Sequence, residues 1–267
     1  MQRISHCVAL LCFVFGAPTI CFCQIRIPLQ DVSDGGCPIR VSGHVSFQDD
    51  PSQLSRYTYG IEGSIENVSG EGVVLTVIHI QTRGVNRHGL DGNRSSDDHF
   101  FGPRDLQPGE VENIPATTVG FNEPATDGRM IGHEEANWEL AREDVGPEQT
   151  PLATAKVTFV QFADGSTWGD TAAGHNLLVY RREILTELRK YERVLDKEGA
   201  STFLNAYANR RTYLWFPLLY VLVTKCKGKS DSCLIDGMHS MVQGARQHQA
   251  EMKQNWTVGA TGRDQPR

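Results

Sequence analysis

The sequence predicts an all-β antiparallel sandwich followed by a small all-α helical domain. Two observations predict it. Short segments of two-residue alternation, separated by tight-turn residues, run to about residue 170, and the apolar spacing then switches to a period near 3.6. A third observation, an apolar segment at the start, sets the compartment in which the fold forms.

That start reads MQRISHCVALLCFVFGAPTICFCQ. Arg3 precedes an unbroken apolar run over residues 8–15, and Gly16, Ala17 and Pro18 end it, which is the layout of a secretory signal peptide. The run is far shorter than the roughly 20 residues of a membrane-spanning helix. Cleavage after Cys23 places the small side chains Cys21 and Cys23 where the peptidase reads them, so residues 1–23 form the expected signal, with cleavage after Ala17 as the alternative. The expectation is a secreted or periplasmic protein with no integral membrane span once the signal is removed. The chain carries 26 Lys and Arg against 32 Asp and Glu, and losing Arg3 moves the formal charge from −6 to −7. A mildly acidic body argues against nucleic acid and anionic membrane surfaces as partners.

Residues 39–47 alternate strictly, with Ile39, Val41, Val45 and Phe47 on one parity and Arg40, Ser42, His44 and Ser46 on the other, as a half-buried strand does. YTYGIEGSIE repeats the pattern, and Asn67 to Gly72 is a turn. VVLTVIHIQT is apolar on both parities and β-branched, which suits a central strand covered on both faces. HFFGPRDL is a weaker strand candidate, residues 111–114 a short one, and AKVTFVQFAD a clear one that turns back at Asp164-Gly165 toward Trp168. About seven short strands with tight turns make a sandwich.

At Asp170, a plausible N-cap, the helical period begins. Leu177, Ile184, Leu188, Tyr191 and Leu195 form one stripe of a long helix that Gly199 ends. A second helix runs over about 201–209. A third carries LWFPLLYVLV, kinked or started by Pro217 and read as a buried core helix because it is too short to span a membrane. A fourth, capped by Ser232, places Leu234, Met238, Met241, Ala245 and Met252 on one face. The expected domains are therefore the signal 1–23, the sandwich 37–170, the helical domain 171–254 and a flexible tail 255–267.

Cys37, Cys226 and Cys233 remain after the signal. In an oxidising compartment Cys226 pairs with Cys233 across the polar KGKSDS, which leaves Cys37 unpaired. Asp91, Asn93, Ser95 and Asp97 imitate a calcium loop, but Ser96 replaces the required glycine and Gly102 the bidentate glutamate, so the stretch reads as a solvated loop. His133-Glu134-Glu135 lacks the second histidine of a zinc motif, because Asn137 stands there. No nucleophile elbow or phosphate-binding glycine loop occurs, so no catalytic residue, metal or cofactor is expected. The histidines, His44 and His79 among them, read as surface or satisfied core residues. Asn67, Asn93 and Asn255 head N-glycosylation sequons, which matter only in a eukaryotic secretory pathway.

In an up-and-down strand series the connections alternate between two ends. Connections 48–55, 84–97 and 115–151 are long and share one end, toward which the last strand also points the helices. The expected partner site lies there, with Trp138 as aromatic anchor and Glu134, Glu135, Asp97 and Asp98 as polar rim. The competing reading has Trp138 packed as structure.

The Asn-Val-Ser-Gly turn, the Leu-x-Pro-Gly-Glu turn and the segment VTFVQFADGSTW together resemble immunoglobulin-like domains of secreted bacterial proteins of unknown function, over about residues 39–170. The paired sandwich cysteines and central tryptophan of antibody domains are absent. The resemblance implies an immunoglobulin-like sandwich and a non-catalytic binding or scaffolding role with a protein partner in the cell envelope. The alternative is a secreted hydrolytic enzyme with its site between the 115–151 loop and the helices.

Overall fold

The structure, a computed structural model, describes residues 25–49, 57–85, 88–96, 98–121, 129–131, 138–142, 150–209, 216–253 and 255–256. The expected signal, residues 1–23, lies outside them. Ten strands are present among the described residues: β1 (Ile25–Asp31), β2 (Ile39–Asp49), β3 (Tyr57–Asn67), β4 (Val73–Arg83), β5 (His88–Ser95), β6 (Val111–Phe121), β7 (Arg129–Ile131), β8 (Trp138–Arg142), β9 (Leu152–Phe162) and β10 (Thr167–Gly169). They form one sheet in the order β6-β3-β2-β1-β9-β4-β5-β8-β7, with β10 paired to β9.

This corrects the expected antiparallel, immunoglobulin-like sandwich. The sheet is mixed and strongly curled into a half-barrel around one core rather than split into two facing layers. The physical cause is β1, a strand that the alternation analysis leaves out. Its first half pairs antiparallel with β2, from Ile25↔Phe47 to Pro28↔His44. Its second half pairs parallel with β9, from Leu29↔Ala153 to Asp31↔Ala155. Pro28 stands at the changeover. A strand that switches partners makes a corner, and here it fuses what would be two sheets into one.

Curling also needs a bend between β2 and β3, which pair over their full lengths from Ile39↔Asn67 to Asp49↔Tyr57. Gly43 supplies it. Its φ is +147°, and a Cβ there would lie 2.2 Å from the Glu62 carbonyl oxygen. A register shift between Ile61 and Gly63 against β6 adds twist at the same level. Inside the curl lie Val41, Val45, Tyr59, Ile61, Ile78, Ile80, Leu90 and Phe121, all buried.

β4 is covered on both faces, as its composition predicts. Ile78 and Ile80 point into the curl, while Leu75 and Val77 pack outside with Phe159 and Leu178. The change of parity falls at a register shift between Val77 and Ile78.

Four further expectations are corrected. Residues 99–101 form a 3₁₀ turn, not a strand, because the adjacent Phe100 and Phe101 are both buried in the helical core and Asp98 caps the turn by accepting from the Phe100 N–H at 3.2 Å. Residues 88–95, read as loop, are β5, since His88, Leu90 and Gly92 are buried and the strand pairs with β4. The short strand at 111–114 extends to Phe121, and the long connection after it contains β7 and β8. The last helix is N-capped at Ser230 rather than Ser232.

Three helices follow: α1 (Thr171–Ala208), α2 (Phe216–Cys226) and α3 (Asp231–Met252). Asp170 caps α1 by accepting from the Ala172 N–H at 2.9 Å. Gly199, at φ +86° and ψ 173°, breaks α1 where the first two sequence-predicted helices meet. The helices share one core with Val74, Phe100 and Phe101 of the sheet region. Cys226 and Cys233 are disulfide-bonded between α2 and α3. Among the described residues no helix is long and apolar enough to cross a membrane.

Candidate functional site

The strand register decides which parts of the expected partner site come together. Asp49 pairs with Tyr57, Tyr57 pairs with Phe121, and the Tyr57 ring lies 4.2 Å from that of His88. The connections 50–56, 84–87 and 122–128 therefore leave from one end, although the second has shrunk to a hairpin. The helices do not join them there. α1 starts beside Thr158, whose carbonyl accepts from the Asp170 N–H at 2.7 Å, and it climbs past Leu75 toward Gln161. That direction leads away from the Arg83↔Leu152 pair at the loop end.

The named residues are distributed differently from the expectation. Trp138 has no exposed surface and packs in the core inside the curl, with Leu140 beside it. The alternation of Trp138 and Leu140 against exposed Glu139 is the sequence signal for this strand. Glu134, Glu135 and Asp97 lie outside the described residues. Asp98 is held by Arg181, which donates to its two carboxylate oxygens at 2.9 and 2.7 Å. Asp91, from the calcium-like stretch, is paired within the sheet to His79 Nε2 at 2.6 Å and accepts from Gln81 at 3.0 Å. The described residues contain no cluster of three or more His, Cys, Asp or Glu suited to a metal ion. Asn67 is fully buried, its amide donating to the carbonyls of Glu71 and Leu106, so its sequon is closed to modification.

Open clefts occur among the described residues. One, of about 450 Å³, lies on the outer face of β2 and β3, directly over the bend. It is lined by Ser42, Gly43, His44, Glu62, Gly63 and Ser64, with Asn113 of β6 at its side. Such a sheet face ordinarily carries long solvated side chains. Here the glycines that allow the bend thin out the side chains, and Ile114 and Ala116 of β6 add an apolar wall beside the serines, His44 and Glu62.

Cross-strand pairing sets the cleft's chemistry. Ser42 and Ser64 stand opposite each other, with their hydroxyls 2.8 Å apart. His44 stands opposite Glu62, with Nε2 at 3.4 Å from Oε2. That distance is within ion-pair range but off hydrogen-bonding alignment, and His44 Nε2 is a buried atom with no hydrogen bond among the described residues. The serines bond to one another rather than to the imidazole, so the arrangement offers donors and acceptors instead of an activated nucleophile. Sequence reading placed Ser42 and His44 on an exposed parity. The missed signal is that small and polar residues occupy that parity on both neighbouring strands.

A second cleft, of about 380 Å³, runs along Asp31, Asp34, Cys37 and Arg40. Cys37 is a free, half-buried thiol that donates to the Ile39 carbonyl at 3.0 Å. Burial, more than any neighbouring charge, pushes its pKa from 9.0 up to about 11, which keeps it protonated and unreactive. A third, of about 300 Å³, lies along α3 beside Asp236, His239 and Gln243, where His239 pairs with Asp196 at 2.9 Å. No protein-family model, curated protein or solved structure matches this chain.

Proposed function

We propose that this chain is an extracytoplasmic binding protein that holds an extended polypeptide segment of an envelope partner on the outer face of β2 and β3. The observation that carries the reading is the cleft over the bend, where hydroxyls, the Asn113 amide and backbone stand beside the apolar Ile114 and Ala116. Peptide groups both donate and accept, and so does this surface. A sugar chain would call for exposed rings in a row, and Tyr57 and Tyr59 face the core instead. The disulfide between α2 and α3 supports an oxidising compartment.

Selection of peptides from a random display library against the purified chain tests the site. Peptides selected by the native protein should lose roughly tenfold or more in affinity with Ser64→Arg or Asn113→Arg, each of which fills the cleft from an unburied position. Undiminished binding to both variants, or no selected peptide at all, would remove the cleft from consideration. Intact mass of the exported protein tests the compartment, with loss of residues 1–23 as the expected result.

A further inference from the structure

We infer that the segment held on β2 and β3 presents a basic side chain, lysine or arginine, to Glu62. The inference rests on the cleft being a peptide site and names what the peptide must carry. Two backbone irregularities meet at this one residue. On the β2 side, Gly43 lets the strands approach so closely that a Cβ there would lie 2.2 Å from the Glu62 carbonyl oxygen. On the β6 side, the register passes from Ile61↔Thr117 to Gly63↔Ile114, so Glu62 alone opposes both Pro115 and Ala116. That is a β-bulge, and Pro115 has no N–H to give to the ladder there. Bulges re-aim side chains and recur beside functional sites.

Charge identifies the side chain. Glu62 is the one Asp, Glu, Lys or Arg among the residues lining the cleft, and its side chain is 56% exposed. Its neighbour on the same strand face, Glu66, is paired to Arg40 at 2.7 Å. Glu62 has only the His44 imidazole at 3.4 Å, a counter-charge solely when protonated. A cation from the partner therefore meets a carboxylate that no lysine or arginine of the chain neutralises among the described residues.

The rest of the cleft suits the stem of such a side chain. Ile114 and Ala116 form an apolar wall beside the carboxylate, against which the methylenes of lysine or arginine lie while the head reaches Glu62. The Ser64 hydroxyl and the Asn113 amide oxygen can accept the remaining donors of the head. An acidic side chain would be repelled by Glu62, and an apolar one would cover the carboxylate without pairing it.

Peptides selected from a random display library against the purified chain test the inference. They should share a lysine or arginine, and replacing it by norleucine or citrulline, which keep the shape and remove the charge, should weaken binding roughly tenfold or more. In Glu62→Gln that difference should vanish, with the thermal midpoint unchanged because the side chain is half exposed. Glu66→Gln, which removes an equal charge outside the cleft, should leave binding as it is. Selected peptides without a basic residue, an undiminished preference for one in Glu62→Gln, or an equal loss in Glu66→Gln would overturn the inference. If such peptides are still blocked by Ser64→Arg and Asn113→Arg, the cleft remains a peptide site of another specificity. Peptides indifferent to those two variants, or no selected peptide at all, would remove both.

Discussion

Arg181 has no exposed surface, yet four hydrogen bonds engage all three nitrogens of its guanidinium. It makes a two-point contact with Asp98, donates to Gln161 Oε1, and donates to the Trp256 carbonyl at 2.9 Å. Its plane also lies 4.7 Å from the Phe100 ring centroid, and Phe100 stacks on Trp256 at 5.2 Å. Gln161 completes the knot by donating to the Asn255 carbonyl at 3.0 Å. One side chain therefore ties α1 to β9, to the 3₁₀ turn and to residues 255–256, the start of the segment expected to be a flexible tail. Arg181→Met keeps the volume but strands Asp98 and two buried acceptors, so a loss of about 3–5 kcal/mol is expected in urea unfolding. A loss under about 1 kcal/mol would show that the knot is replaceable. In the sequence Arg181 stands beside Arg182 on a charged helix and carries no sign of burial.

Cys37 gives a second prediction at this scale. Its folded pKa lies above its unfolded value, so its protonation favours the fold below about pH 9, and that contribution disappears as pH rises through about 11. Alkylation by iodoacetamide should be slow in the native protein at pH 8 to 9 and approach the unfolded rate only near pH 11. Native and urea-unfolded protein reacting equally fast at pH 8 would contradict the buried, protonated thiol.

At the scale of elements, periodicity made β2, β3, β4 and β9 legible, because each sets apolar residues to one or both faces of a sheet. Tyr57, Tyr59, Ile61 and Ile65 all proved buried, as their parity demands. β5 was not legible. DGNRSS is made of turn formers, and it becomes a strand because β4 offers it a partner and Asp91 reaches His79. α1 was legible down to its break, since glycine at φ +86° leaves its own mark in the sequence. The cleft was hidden for another reason: its serines and glycines are unremarkable until pairing brings Ser42 against Ser64.

Helix packing supplies a prediction in which two effects compete. Alanine is favoured over glycine in a helix by about 1 kcal/mol, so Gly244→Ala should stabilise α3 taken alone. In the fold a Cβ at Gly244 would lie 1.9 Å from the Gly102 carbonyl oxygen, which is backbone and cannot rotate away. At Gly237 the obstruction, 2.3 Å distant, is the end of the Leu222 side chain, which can. Gly244→Ala should therefore lower stability by about 1–3 kcal/mol, and Gly237→Ala should change it by less than about 1 kcal/mol in either direction. Thermal melts of the two variants measure the contrast. Equal midpoints would mean that α3 does not press on the 3₁₀ turn as closely as the structure has it.

For the whole molecule the decisive element is the one furthest from any obvious pattern. β1 holds one alternating stretch, IRIPLQD, interrupted by the proline that marks its change of partner. In a two-layer sandwich such a strand would be a dispensable edge. In a single curled sheet it is the seam, with Ile27 buried in the common core and the Asp31 carboxylate accepting from the Val41 N–H at 2.8 Å. Removing it opens two edges at once, along His44–Phe47 of β2 and Ala153–Ala155 of β9, both flanked by apolar strands of the kind that pair with other chains. A chain beginning at Ser33 is expected to lose its cooperative thermal transition and its near-ultraviolet circular dichroism and to aggregate with thioflavin binding. A chain beginning at Gln24, which keeps β1, should unfold in a single transition, because the helices and the sheet share buried residues on Val74, Phe100 and Phe101. If the shortened chain instead kept the native midpoint, the two halves of the sheet would be independently stable, and the half-barrel would have no seam.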